Sequence, residues 1–262
     1  MSKWLRILIG LGIAGIVCGA FLWFFGVQAF SIWETRRAAR KEPAVWTTPV
    51  QLLDLSVSQA QGKKLFYFGY VFEVPWDDID QERTKVIGTD KAIIAFRSGN
   101  VISFWSGPPN ELTSNLQGDG KIDQKSLRQL LGDEAVQSDY AFKKAILNTT
   151  PAKFSLLTPR RLAIQQGMFF IMKATMLLPS AESGVFSLST NEFKGFQYGH
   201  PQSPPKHLSV ELFKSDGHVD ILFGQKLNGS TAISQADVNR VVQSIHKVSA
   251  KEIGFDDPGW PK

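Results

Sequence analysis

The sequence predicts an α+β protein in which a single N-terminal transmembrane helix precedes one soluble domain, a mainly antiparallel sheet packed against helices. Three observations predict it. Residues 7–27, from Ile7-Leu8-Ile9 to Phe24-Phe25-Gly26-Val27, form a run of 21 without a charge. Short segments rich in aromatic and β-branched residues, several alternating apolar with polar, recur through the rest of the chain. Between them, apolar residues keep helical spacing at Leu127, Leu130 and Leu131 and again at Val238, Val241, Val242 and Ile245. The expected division is a membrane anchor with a basic flank over 1–41, a linker over 42–62, the domain over 63–255 and a C-terminal tail over 256–262.

At about 1.5 Å per residue the apolar run is about 30 Å long, the thickness of a bilayer's hydrocarbon core. Lys3 and Arg6 give it a basic start, and Val27-Gln28-Ala29 resembles a cleavage site. The apolar region of a cleaved signal peptide is shorter, about 7–15 residues, so the segment is expected to stay as a signal-anchor. Gly10-Leu11-Gly12-Ile13-Ala14-Gly15 spells G-x-G-x-x-G. A dinucleotide site needs an amphipathic helix and a second strand ending in an acid, whereas here the run stays apolar and a basic stretch follows. Gly15 and Gly19 form a G-x-x-x-G pair, the spacing through which two membrane helices associate into a homodimer. Trp4, Trp23 and Trp33 stand where interfacial anchors belong. Arg36, Arg37, Arg40 and Lys41 argue for a cytoplasmic domain. A lone N-terminal span behind a short basic tail argues for an exported one, and tips the expectation slightly towards the extracytoplasmic side.

Composition excludes several functions. The chain has 29 Lys and Arg against 24 Asp and Glu. Six of those bases and one acid lie in the first 41 residues, so 42–262 balance at 23 each. The pI near 9.2 is thus a juxtamembrane effect. No nucleic-acid partner is expected, since that needs a basic face on the folded domain. Cys18, the one cysteine, lies inside the apolar run. The domain therefore has no disulfide, thiol nucleophile or thiolate zinc site.

Along the domain, Pro43 ends the first helix. A connector with Pro49, Ser56, Ser58 and Gly62 follows, in which Leu52 and its neighbours can pack on the domain. Residues 64–74 read as one strand stopped by Pro75, and 91–96 with 100–105 as a hairpin around Ser98-Gly99. Residues 110–148 read as helical. Thr158-Pro159 opens a helix to about Leu178. Its middle, Met168-Phe169-Phe170-Ile171-Met172, predicts a buried core helix, and Gln165, Gln166 and Lys173 argue against a second span. Residues 185–188 and 193–198 read as strands. Val210 and Leu212 on one side of Asp216-Gly217, and Val219, Ile221 and Phe223 on the other, alternate with polar residues. A two-residue turn at Asp216-Gly217 pairs Leu212 with Ile221 and Val210 with Phe223 on one face. Ser234 caps a final helix.

Candidate chemistry is sparse. His218, Asp220 and Glu211 share the other face of that hairpin, where they could hold a metal or move protons; the plain alternative is a solvated strand face. Residues 115–126 echo a calcium loop through Asp119 and Asp123. Gln117 stands at the third position and Ser126 at the twelfth, where a bidentate glutamate belongs, so no metal site is assigned. Asp77, Asp78, Asp80 and Glu82 read as a solvated acidic loop, and His200 and His207 as surface residues in a proline-rich loop. There is no G-x-S-x-G, H-E-x-x-H or P-loop. No cofactor and no catalytic residue is expected. The expectation is a single-pass membrane-anchored protein whose domain is a non-catalytic binding or accessory module for a protein partner. The alternative is a membrane-tethered hydrolase using His218, Asp220 and Glu211. A third reading, a lipid or small-ligand site around 168–172, requires Phe169 and Phe170 to line a cavity.

Overall fold

The computed structural model describes residues 3–41, 43–52, 54–118, 124–177, 184–201, 207–225 and 232–248. The elements run α1 (Lys3–Lys41), β1 (Val50–Gln51), β2 (Lys63–Tyr67), β3 (Tyr70–Val74), β4 (Lys85–Ile87), β5 (Lys91–Ala95) and β6 (Asn100–Gly107). Next come α2 (Glu111–Gly118), α3 (Gln124–Leu131), α4 (Asp139–Leu147), α5 (Arg160–Met176), β7 (Val185–Ser189) and β8 (Lys194–Tyr198). The last are β9 (His207–Lys214), β10 (Gly217–Gln225), α6 (Gln235–Ser244) and β11 (His246–Lys247). The class is α+β, as the sequence predicts. The chain folds as two compact units, one of Met1–Trp46 with Thr149–Met176 and one of Thr47–Asn148 with Leu177–Lys262.

The first unit is built on α1. One helix, over Leu11–Lys41, is long and apolar enough to cross a membrane. Leu11, Ile16, Leu22, Trp23 and Phe24 are all exposed, and nothing among the described residues covers this apolar surface. Past Val27 the pattern changes. Gln28, Thr35 and Ala39 are buried at helical spacing, where α1 packs against α5. In α5, Ala163, Gln165, Phe169, Phe170 and Lys173 are buried, while Ile164, Met168 and Ile171 are exposed. The expected core helix is thus buried along one side, against α1. Phe154 meets Phe170 edge-on at 6.1 Å. The Lys173 Nζ donates to the Thr149 carbonyl at 2.8 Å. Burial, and then Lys153, lower its pKa to about 8.

The second unit is organised by an eight-stranded sheet, ordered β1-β7-β8-β9-β10-β6-β5-β4. It is antiparallel except for the β1–β7 pair. One face packs on α6 and on a small sheet, β11-β3-β2. Ile94, Ile102, Phe104, Val210, Val219 and Ile221 meet Phe72 and Val74 of the small sheet and Val238 and Val241 of α6 there. The Phe72 and Phe104 rings stack at 5.1 Å. On the opposite face, Phe196, Tyr198 and Phe213 pack with Leu147 of α4, and Tyr140 stacks on Phe196 at 5.2 Å. α6 opens with a capping box: the Ser234 hydroxyl accepts from Asp237 N–H, and the Asp237 carboxylate accepts from Ser234 N–H. Asp139, buried at the start of α4, accepts from the N–H groups of Leu112 and Thr113 and so caps α2.

Two local features differ from the expectation. Residues 64–74 are a hairpin, β2–β3, turning at Phe68-Gly69 with φ of 52° and 80°. Positive φ at both central positions defines a tight hairpin turn that sequence usually signals with Asn-Gly; phenylalanine hides it. Phe68 is held there by stacking on Phe104 at 6.3 Å. The β9–β10 hairpin turns at Ser215-Asp216, not Asp216-Gly217, so Leu212 pairs with Val219 and Val210 with Ile221. The two-residue shift is even, so each side chain keeps its face. Gly217 is the first residue of β10, paired with Lys214, and a Cβ there would stand 3.0 Å from the Gly107 carbonyl oxygen. The connector packs on the domain, as its apolar residues allow. Leu52 is buried in the main core, and Asn239 Nδ2 donates to the carbonyls of Asp54 and Ser56.

Candidate functional site

Glu211, His218 and Asp220 lie on the sheet face that α4 covers. Asp220 pairs directly with Glu211 across β9–β10, while His218 pairs with Phe213. In an antiparallel pair, opposite Cβ atoms are about 5 Å apart, so the two carboxyl groups are neighbours by register. The face is partly covered: α4 brings Lys143, 4% exposed, onto it. The Lys143 Nζ donates to Glu211 Oε1 at 2.9 Å, and the Tyr198 hydroxyl donates to Glu211 Oε2 at 2.7 Å. Both oxygens of Glu211 are therefore committed to partners within the fold.

Asp220 faces Glu211, His218, Lys143 and, from α2, Glu111. Burial pushes its pKa from 3.8 up to about 7, and the Glu211 charge adds to the rise, while His218 and Lys143 oppose it. The same burial, with Glu211 beside it, holds the Tyr198 hydroxyl well above its ordinary value. Lys143 makes its ion pair with Glu211, and Asp220 is left beside that carboxylate without an ion pair to the lysine.

His218 stands at the edge of this cluster. Its Nδ1 is 3.1 Å from the Pro108 carbonyl, which can only accept, so Nδ1 carries the proton. Nε2 lies 3.6 Å from Glu111 Oε2. A Cβ at residue 107 would collide with the imidazole and stand 2.8 Å from that same oxygen. Only glycine at Gly107 lets the ring lie across β6. Beyond His218 opens a cleft of about 500 Å³, lined in part by Tyr140, Phe213, Glu192, Lys194 and Lys214. Glu192 accepts from Lys214 Nζ at 2.7 Å across its rim, a bond that raises the lysine's pKa.

Asp119 and Asp123 of the calcium-like stretch 115–126 lie outside the described residues; 115–118 belong to α2 and 124–126 to α3. Among the described residues no group of three His, Cys, Asp or Glu side chains could hold a metal ion. Asp78 and Asp80 serve as local turn acceptors, Asp78 Oδ2 for Ser98 N–H and Asp80 Oδ1 for Arg83 N–H. Phe169 and Phe170 are 1% and 2% exposed, so they line no cavity, and the ligand-site reading of 168–172 is withdrawn. Around Gly15 and Gly19 a Cβ would meet nothing within 4 Å.

Lys143, Tyr198, Glu111 and Gly107 were not singled out by the sequence. Lys143 alone carried a signal. With Asp139, Phe142, Ile146 and Leu147 it occupies the buried positions of α4, so a lysine stands on the helix's core-facing stripe. The other three are brought together by strand register and by the turn into α2. No known protein family matches this chain, nor does any curated protein or solved structure.

Proposed function

We propose that the chain is a single-pass membrane protein whose α+β unit is a non-catalytic binding module for a protein partner. The observation that carries the membrane half is the open apolar surface of α1, from Leu11 to Phe24, which only lipid or another such helix would cover. The binding half rests on Glu211. With both carboxylate oxygens committed to Lys143 and Tyr198, Glu211 offers no free oxygen to a substrate. What borders the cleft instead is Tyr140, Phe213 and the rim charges Glu192, Lys194 and Lys214. An aromatic floor with a charged rim suits a peptide or loop of another protein. A homodimer through the open faces of Gly15 and Gly19 belongs to the same reading.

One observation favours the hydrolase reading. Asp220 holds a proton near neutrality beside His218, and His218 borders the cleft. The two readings separate in one experiment. A photo-crosslinking residue at Lys194 or Ser215 should give a discrete adduct with another protein in intact cells under the binding reading. Loss of a measured hydrolytic turnover in His218→Ala, with the fold intact, would replace it with the hydrolase reading. The domain is proposed to lie outside the cytoplasm. Protease cleavage in sealed cells supports that side, and cleavage only in inverted vesicles reverses it.

A further inference from the structure

The helical unit carries a second apolar feature beside α1. Between Phe154 and α5 the chain makes a tight turn: Ser155 Oγ accepts from Leu157 N–H at 3.1 Å and Ser155 O from Thr158 N–H at 3.2 Å. The turn projects Leu157, which is 85% exposed, more than any other large apolar side chain among the described residues; Leu156 beside it is 39% exposed. The position of this turn along α1 is fixed. Gln28 Nε2 donates to the Thr158 carbonyl at 3.3 Å. Gln28 directly follows Val27 and is the first amide or hydroxyl side chain after Arg6, in a stretch that stays uncharged to Trp33. Because α1 is continuous, the turn stands at the level where the hydrocarbon core would end.

The charges agree with that depth. Arg160 and Arg161 are exposed immediately after the turn. Residues 149–176 contain Lys153, Arg160, Arg161 and Lys173 and no Asp or Glu. On α1 at the same end stand Arg36, Arg37 and Arg40, also exposed. Exposed leucines flanked by arginines at the end of a membrane helix match the interface, where apolar side chains dip below the headgroups and cations meet phosphate.

We infer that the Ser155–Arg161 turn is a second membrane contact, with Leu156 and Leu157 inserted in the interface and Arg160 and Arg161 bound to anionic lipid headgroups. The inference rests on α1 spanning the bilayer, and it goes beyond that reading by giving α1 a fixed depth and a second attachment point. The segment 149–176, far along the chain from the anchor, then belongs to the membrane-bound part of the protein.

The test uses the full chain with Cys18→Ala, reconstituted into phosphatidylcholine vesicles with or without phosphatidylglycerol. A single environment-sensitive fluorophore is placed through Leu157→Cys, Trp23→Cys or Ser215→Cys. The inference expects a blue shift and quenching by headgroup-proximal lipid quenchers at 157, stronger in the anionic vesicles, with quenching at 23 and none at 215. Arg160→Glu with Arg161→Glu should remove the difference between the two vesicle types. Quenching at 23 with a water-like signal at 157 overturns the inference and leaves the anchor standing. Water-like signals at both overturn the anchor and the inference together.

Discussion

Lys143 is the side chain on which the buried polar cluster turns. Replacing it with methionine leaves the Glu211 carboxylate with Tyr198 alone, beside Asp220. Breaking a buried pair by removing one partner costs about 3–5 kcal/mol. Lys143→Met is expected near the low end, because Tyr198 still donates; chemical denaturation of the full chain measures it. Asp220 gives a pH signature. The folded state holds its proton up to about pH 7 and the unfolded chain only to about 3.8. Between those values the folded state binds more protons, so stability falls as pH rises. The contribution is intact below the lower value and lost as pH passes the upper one, on the order of a few kcal/mol. Asp220→Asn is expected to flatten this slope and to be more stable than the wild type at pH 8. A variant as steep as the wild type would remove Asp220 from the account. Gly107→Ala should displace the His218 ring, which would be seen as a changed imidazole environment in NMR.

At the level of elements, each helix and strand is held by a few identifiable groups. Ser234 closes the capping box of α6, and Ser234→Ala is expected to cost about 1 kcal/mol in thermal unfolding. This element was legible, since a serine stands just before a helical stripe of Val238, Val241 and Val242. The β5–β6 hairpin was legible for the same kind of reason: Gly99, at φ 92°, marks its turn. The β2–β3 hairpin was not, because the residue entering the left-handed region is Phe68, whose ring is held by a contact to Phe104 that no local pattern records. Strand register lay between these cases. Alternation sorted Val210, Leu212, Val219 and Ile221 onto one face, but the pairing within that face depends on Gly217 approaching Gly107, a contact between distant residues. The short strands β1, β4 and β11 carry too few residues to show a period.

For the whole molecule, the sequence shows the class and the anchor because both follow from runs of residue type. It does not show that 149–176 folds with α1, since that pairing depends on which helix covers Phe169 and Phe170. The polar cluster is hidden in the same way. Glu211 and Asp220 were visible on one face, but their pairing depends on the observed register, and Lys143 and Tyr198, which decide the cluster's chemistry, come from α4 and β8. Both the proposed function and the second membrane contact require α1 to lie in a bilayer. Alkaline carbonate extraction of membranes from cells expressing the full chain tests it most directly. A charge at the centre of a span costs about 3 kcal/mol per residue, so Ile16→Arg with Val17→Arg serves as the released reference. The account predicts that the wild type stays in the membrane pellet while the arginine variant enters the supernatant. A wild-type protein recovered in the supernatant would contradict it.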